Sequence, residues 1–189
     1  MHIYLICHAE TTEPNQVTDP YSAELTLQGL ERARALAEQC ERWGVQLLAV
    51  SNMLRAQQTA DAIHQKLPNA IRWDSDDLED VNLDDLFPDP IATHHVSTWT
   101  PEQFQRGLES AWNRAMSLWT RLMIFGDANA LESAALVANA RIIRLMLLNA
   151  IGHDWQDYDK LVFGMTVGST THLELLPSGQ ITVDWINRR

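Results

Sequence analysis

Three sets of residues could do chemistry on type alone: Cys7, the carboxylates from Asp74 to Asp89, and the pair His94 and His95. Cys7 suggests a thiolate nucleophile attacking phosphorus. That loop needs an arginine six positions on, and position 13 is Glu13. A core thiol is the better reading. The segment from Asp74 to Asp89 holds eight acids in 16 residues and suggests a calcium loop. Starting such a loop at Asp80 puts Asp85 where glycine is required and Ile91 where the final glutamate belongs. His94 and His95 are adjacent and lack the usual ligand spacing. No metal site and no cofactor are expected.

The elements around these residues alternate between strand and helix. Ile3 to Cys7 reads as a short buried strand, followed by a polar loop from Thr11 to Ser22. Thr26 is an N-cap signal; Leu30, Ala33, Ala37 and Cys40 follow at helical spacing, with Gly44 as the stop. Val45 to Val50 is a second strand, Arg55 to Lys66 a helix ended by Pro68, and Ala70 to Trp73 a third strand. A long helix is expected from Pro101, with Phe104, Leu108, Trp112, Met116 and Trp119 on one side. Ser133 to Ala138 is a strand and Ala140 to Leu148 a buried helix. Thr171 to Leu176 and Gln180 to Trp185, joined by Pro177-Ser178-Gly179, read as a hairpin. The alternation predicts a three-layer α/β/α domain with a mainly parallel sheet. Without repeats or linkers, residues 1–189 are expected to form one domain.

Three segments, taken in order, give this scaffold a closer reading. They are Ile3-Tyr4-Leu5-Ile6-Cys7-His8-Ala9-Glu10-Thr11, Leu25-Thr26-Leu27-Gln28-Gly29, and Ser51-Asn52-Met53-Leu54-Arg55-Ala56-Gln57-Gln58-Thr59-Ala60. A fourth, Ala135 to Arg144, occupies a strand-to-helix junction. Together they resemble the histidine phosphatase superfamily, the phosphoglycerate mutase-like fold, over nearly the whole chain. The resemblance implies a histidine that attacks phosphorus, two arginines and a second histidine around the phosphoryl oxygens, and an acid for the leaving oxygen.

Carried over residue by residue, the resemblance makes His8 the nucleophile, Arg55 the second arginine and Glu79 the acid. Cys7 stands at the first arginine, Asn139 at the second histidine and Ala9 at the loop glycine. A thiol cannot replace a guanidinium, and Asn139 offers one neutral donor. Arg141, two residues after Asn139, is a substitute clamp if its helix starts near Ala140. Arg144 matches an arginine that is structural in the family. The bland alternatives are a relic His8, an Arg55 paired with a carboxylate, a solvated acidic loop around Glu79 and a surface Arg141.

Composition bounds the outcome. The formal net charge is −11, from 14 basic and 25 acidic residues, and only Lys66 and Lys160 are lysines. Such a balance excludes a nucleic-acid or anionic-membrane binder. Two cysteines, Cys7 and Cys40, fit free thiols in the cytoplasm. The first apolar run is too short for a secretory leader, and the longest, Ala134 to Ile151, is broken by Arg141 and Arg144. The expected function is a histidine phosphatase-like protein with impaired or absent catalysis, whose pocket binds a phosphorylated small molecule or phosphoprotein. The alternatives are an active phosphomonoesterase with an altered clamp, and a scaffold that uses the acidic loop as a contact surface.

Overall fold

The computed structural model describes residues 1–12, 22–81 and 99–189. Asp84, Asp85, Asp89, His94, His95 and most of the polar loop after Thr11 lie outside the described residues. The elements are β1 (His2–Cys7), α1 (Leu27–Arg42), β2 (Leu47–Ser51), α2 (Leu54–Lys66), β3 (Ile71–Ser75), α3 (Pro101–Ala128), β4 (Ser133–Ala138), α4 (Ala140–Ala150), β5 (Thr170–Leu175) and β6 (Ile181–Arg188).

One sheet runs β3-β2-β4-β1-β5-β6. The first four strands are mutually parallel, while β5 and β6 pair antiparallel at one side. Strand periodicity sorts the apolar residues into two cores. Ile3, Leu5 and Cys7 of β1 and Leu136 of β4 point to α3 and α4, where they meet Leu108, Leu118 and Ile142. Tyr4 and Ile6 of β1 and Val137 of β4 point the other way, to Leu36 on α1 and Ile63 on α2. Both faces being covered explains why β1, β2 and β4 read as continuous apolar runs rather than alternating ones.

The helix starts are locally encoded. Thr26 accepts from the Gly29 backbone N–H at 2.9 Å. Thr100 and Gln103 form a reciprocal capping box, with Pro101 inside the first turn of α3. The early acids of the run are held by neighbours: Asp74 by Arg72, Asp76 by Asn52, and Asp77 by Arg121. No helix among the described residues is long and apolar enough to cross a membrane.

Gly29 fixes the loop after β1. The Thr26 N–H donates to the Glu10 carbonyl at 3.0 Å, and the Thr26 hydroxyl to the Glu10 carboxylate at 2.8 Å. A Cβ on Gly29 would stand 2.1 Å from that carbonyl oxygen. Alanine normally stabilises a helix over glycine by about 1 kcal/mol. Here overpacking against backbone reverses the sign. Gly29→Ala is expected to cost about 2 kcal/mol in urea unfolding. Gly164→Ala, whose nearest such neighbour is 3.9 Å away, is the near-silent control; equal midpoints for the two would refute the argument.

Candidate active site

A cavity of about 410 Å³ opens where β1 and β4 end and α4 begins. Parallel sheets offer such a crevice beyond their carboxyl ends. His8 follows β1 directly. Its backbone N–H donates to the Ala138 carbonyl at 3.0 Å, and its own carbonyl accepts from the Gly168 N–H at 2.8 Å. The turn at His8 is thereby pinned to β4 on one side and to the segment entering β5 on the other. Ala9, the replacement for the loop glycine, is fully buried and donates its N–H to the Thr59 hydroxyl at 3.0 Å.

The tautomer of His8 follows from its partners. Nδ1 lies 2.8 Å from the Ala9 carbonyl oxygen, which can only accept, so Nδ1 carries the proton. Nε2 keeps its lone pair and receives a hydrogen bond from Arg55 Nε at 3.1 Å. Burial, and then the Arg55 charge, push the imidazole pKa down to about 4; the Ala9 carbonyl and Asp80 oppose this. His8 is therefore neutral at ordinary pH, with a nucleophilic nitrogen at the cavity wall.

Three guanidiniums stand on that wall: Arg55 from the first turn of α2, and Arg141 and Arg144 from α4. Among the described residues, one carboxylate, Asp80, shares it. Arg141 Nη1 lies 2.6 Å from Asp80 Oδ2. Arg144 donates to the Tyr158 carbonyl at 2.8 Å, and its guanidinium sits 3.8 Å above the Tyr158 ring. Its Nε is buried without a partner.

Asn139 does two jobs. Its Oδ1 accepts from the Ile142 N–H at 3.0 Å and caps α4. Its Nδ2 is buried and has no hydrogen-bond partner among the described residues, although the residue lines the cavity. An orphaned buried donor at a helix N-terminus suits an anion. Cys7 contributes no charge, because burial pushes its thiol up to about 12 against the opposing effect of Arg55.

The structure therefore gathers His8, Arg55, Asn139 and Arg141 around one space. It does not bring Glu79 to the cavity wall; the adjacent Asp80 stands there. Sequence reading missed Asp80, the cavity position of Arg144, and Tyr158, Phe163 and Met165 on the far wall. Arg144 could have been found from its spacing. It lies three residues, about one turn, beyond Arg141 on a helix whose start faces the strand ends.

Solved structures share this architecture. The mycobacterial glucosyl-3-phosphoglycerate phosphatase complexed with VO3 superposes with a TM-score of 0.75 at 19% identity, covering 100% of this chain and 99% of that one. A phosphoserine phosphatase variant from Entamoeba histolytica, in complex with phosphoserine, gives 0.70 at 17% identity, with 98% and 96% covered. Rattus norvegicus serine/threonine-protein phosphatase PGAM5, mitochondrial, is 27% identical over 193 residues. That alignment takes in 96% of this chain and 60% of the relative, so the chain spans about three fifths of its length. The sequence model of the histidine phosphatase superfamily (branch 1) matches residues 3–188, and with His8 and Arg55 in contact at the strand ends, the chain belongs to that family.

Proposed function

We propose that the cavity binds the phosphoryl group of a phosphomonoester, carried by a small molecule or a phosphoprotein, and turns it over slowly on His8. The observation that carries this reading is the placement of His8, with Nδ1 on the Ala9 carbonyl and Nε2 toward Arg55, on a cavity wall that also carries Arg141 and Asn139. Once Arg55 Nε turns from the Nε2 lone pair to a phosphoryl oxygen, His8 Nε2 would form the bond to phosphorus as the bond to the leaving oxygen breaks, and water would then take the phosphoryl group from Nε2. Arg55 and Arg141 would take the phosphoryl oxygens, with the Asn139 amide as a neutral donor.

Of the two adjacent carboxylates, Asp80 is the one placed to serve the leaving oxygen in this reading, and Glu79 is not on the wall. Asp80 Oδ2 is occupied by Arg141. It can act only after Arg141 turns to the phosphoryl group, which couples binding to catalysis. Cys7 and Asn139 supply no cation where the family has an arginine and a histidine, and this is the reason for slow turnover.

The test is calorimetric titration with inorganic phosphate and phosphoserine. Arg141→Ala is expected to weaken phosphate binding about tenfold, the equivalent of one charged hydrogen bond. Wild type that does not bind, or Arg141→Ala binding as tightly as wild type, would overturn the proposal. Asp80→Asn should lower any turnover more than Glu79→Gln.

A further inference from the structure

A second cavity, of about 250 Å³, lies between the C-terminal end of α1 and the β5–β6 hairpin. It shares no lining residue with the cavity at His8. Arg42 of α1 lines it together with Arg188 and Arg189 at the end of the chain's last strand, and Trp43 and Trp185 share the lining. We infer that this cavity is a binding site for a small multivalent anion, phosphorylated or polycarboxylic, separate from the site at His8.

The charge balance is the first ground. The chain is strongly acidic, yet three guanidiniums meet here. Among the described residues, the ion pairs involve other cations than Arg42, Arg188 and Arg189. Two of the nearby acids are already engaged: Glu38 and Glu41 on α1 lie 3.2 and 3.3 Å from Lys66 Nζ. Asp184 on β6 lies 2.7 Å from His172 Nδ1, but burial lowers the pKa of that imidazole, so Asp184 keeps its charge and offsets one of the three cations. Arg42 alone would need no ligand, since a cation in the last turn of a helix is favoured by the helix dipole. That accounts for one arginine and not for the two that face it from β6 and beyond.

The walls are also held in place. Trp43 stacks on Tyr4 with ring centroids 4.1 Å apart and planes 3° from parallel. Tyr4 stacks in turn on His172 at 4.6 Å, and His172 lies 4.5 Å from Trp185. The Arg188 guanidinium sits 5.4 Å from the Trp185 ring centre, on the other end of this stack. The aromatic column thus fixes the spacing of the arginines before any ligand arrives, which lowers the ordering cost of binding.

One segment joins the two sites. Thr170 lines the second cavity. Just before it, Gly168 donates to the His8 carbonyl at 2.8 Å, and Ser169 accepts from the Cys7 N–H at 2.9 Å. Arg189 donates to the Val167 carbonyl at 3.1 Å and Arg32 to the Gly168 carbonyl at 2.7 Å. Arg32 Nη2 is buried there without a partner. An anion that draws Arg189 away from Val167 acts on the chain that holds His8.

The experiment titrates pyrophosphate and citrate separately into the full chain by calorimetry, at low salt and at about physiological ionic strength. A second binding event is expected beside the one at His8. Arg42→Gln/Arg188→Gln should weaken that event about a hundredfold and leave the other unchanged, while Arg141→Ala should weaken the other about tenfold and leave this one unchanged. Both arginines are exposed, and unchanged melting curves would show that the fold survives. Preference for pyrophosphate over citrate identifies a phosphorylated ligand, and the opposite order a polycarboxylate. A single binding event weakened by Arg141→Ala, or a double variant that binds both ions as wild type does, overturns the inference. The first result would still support the His8 site, and the second leaves it untouched, because its own test is the Arg141 variant.

Discussion

Cys7→Arg/Asn139→His is expected to raise turnover of an aryl phosphate by about 10²–10⁴ over wild type. The estimate rests on two contacts. Cys7 is a neutral thiol and Asn139 offers one neutral amide donor, so in the proposed reading two charge-assisted hydrogen bonds would be missing from a bound phosphoryl group. Each is worth about 1.5–3 kcal/mol, and about 3–6 kcal/mol together if both act fully at the transition state. Residues that act as a unit are strongly non-additive, so the pair is the informative variant. Asn139→His alone should give a smaller gain and lose about 1 kcal/mol of stability with its cap on α4. Cys7 is almost fully buried, so melting curves must accompany the rates. His8→Ala in the reverted background should return turnover to the uncatalysed level. If wild type already matches the reverted protein, and His8→Ala abolishes both activities, the impairment reading fails. Arg141 and Arg144 would then have replaced the lost cations.

The positions of these residues were legible in the sequence to different degrees. Elements with their own signals were placed within a residue or two. Thr26 and Pro101 mark helix starts, and Ser133 to Ala138 is bounded on one side by Asn139, the N-cap of α4. Strand order was not legible, because the insertion of β4 between β2 and β1 depends on long-range pairing that leaves no local trace. The site divides in the same way. His8, Arg55, Asn139 and Arg141 sit at strand ends or helix starts, where sequence order dictates place. Asp80 and Glu79 follow a single turn of 3₁₀-helix in extended backbone, where adjacent side chains diverge. Choosing between them needs coordinates. Tyr158, Phe163 and Met165 come from a stretch without strand or α-helix, where no periodicity assigns a face.

Acidification from pH 7 to pH 4 should remove about 3 kcal/mol of stability through His8 alone. The folded imidazole titrates at about 4 and the unfolded one at about 6.5. Between those values the unfolded chain binds a proton that the folded chain refuses. Stability contributed by His8 is therefore present above about pH 6.5, declines as pH falls, and is exhausted near pH 4. The cause is first burial, which disfavours the imidazolium, and then Arg55, whose charge faces Nε2 at 3.1 Å. Urea unfolding of wild type and His8→Gln at pH 7, 5.5 and 4 isolates the effect. The wild type should lose about 3 kcal/mol more than the variant. His172 is also depressed by burial, but it is present in both proteins and cancels. Removing the opposing charge sharpens the test: Asp80→Asn should move the His8 titration further down, because Asp80 holds it up. A wild type whose pH dependence parallels that of His8→Gln would mean that His8 is solvated and ordinary. The same neutral Nε2 whose protonation the fold resists is the group that the proposed phosphoryl transfer would use, so any turnover should persist down to about pH 5 rather than fall off near 6.5.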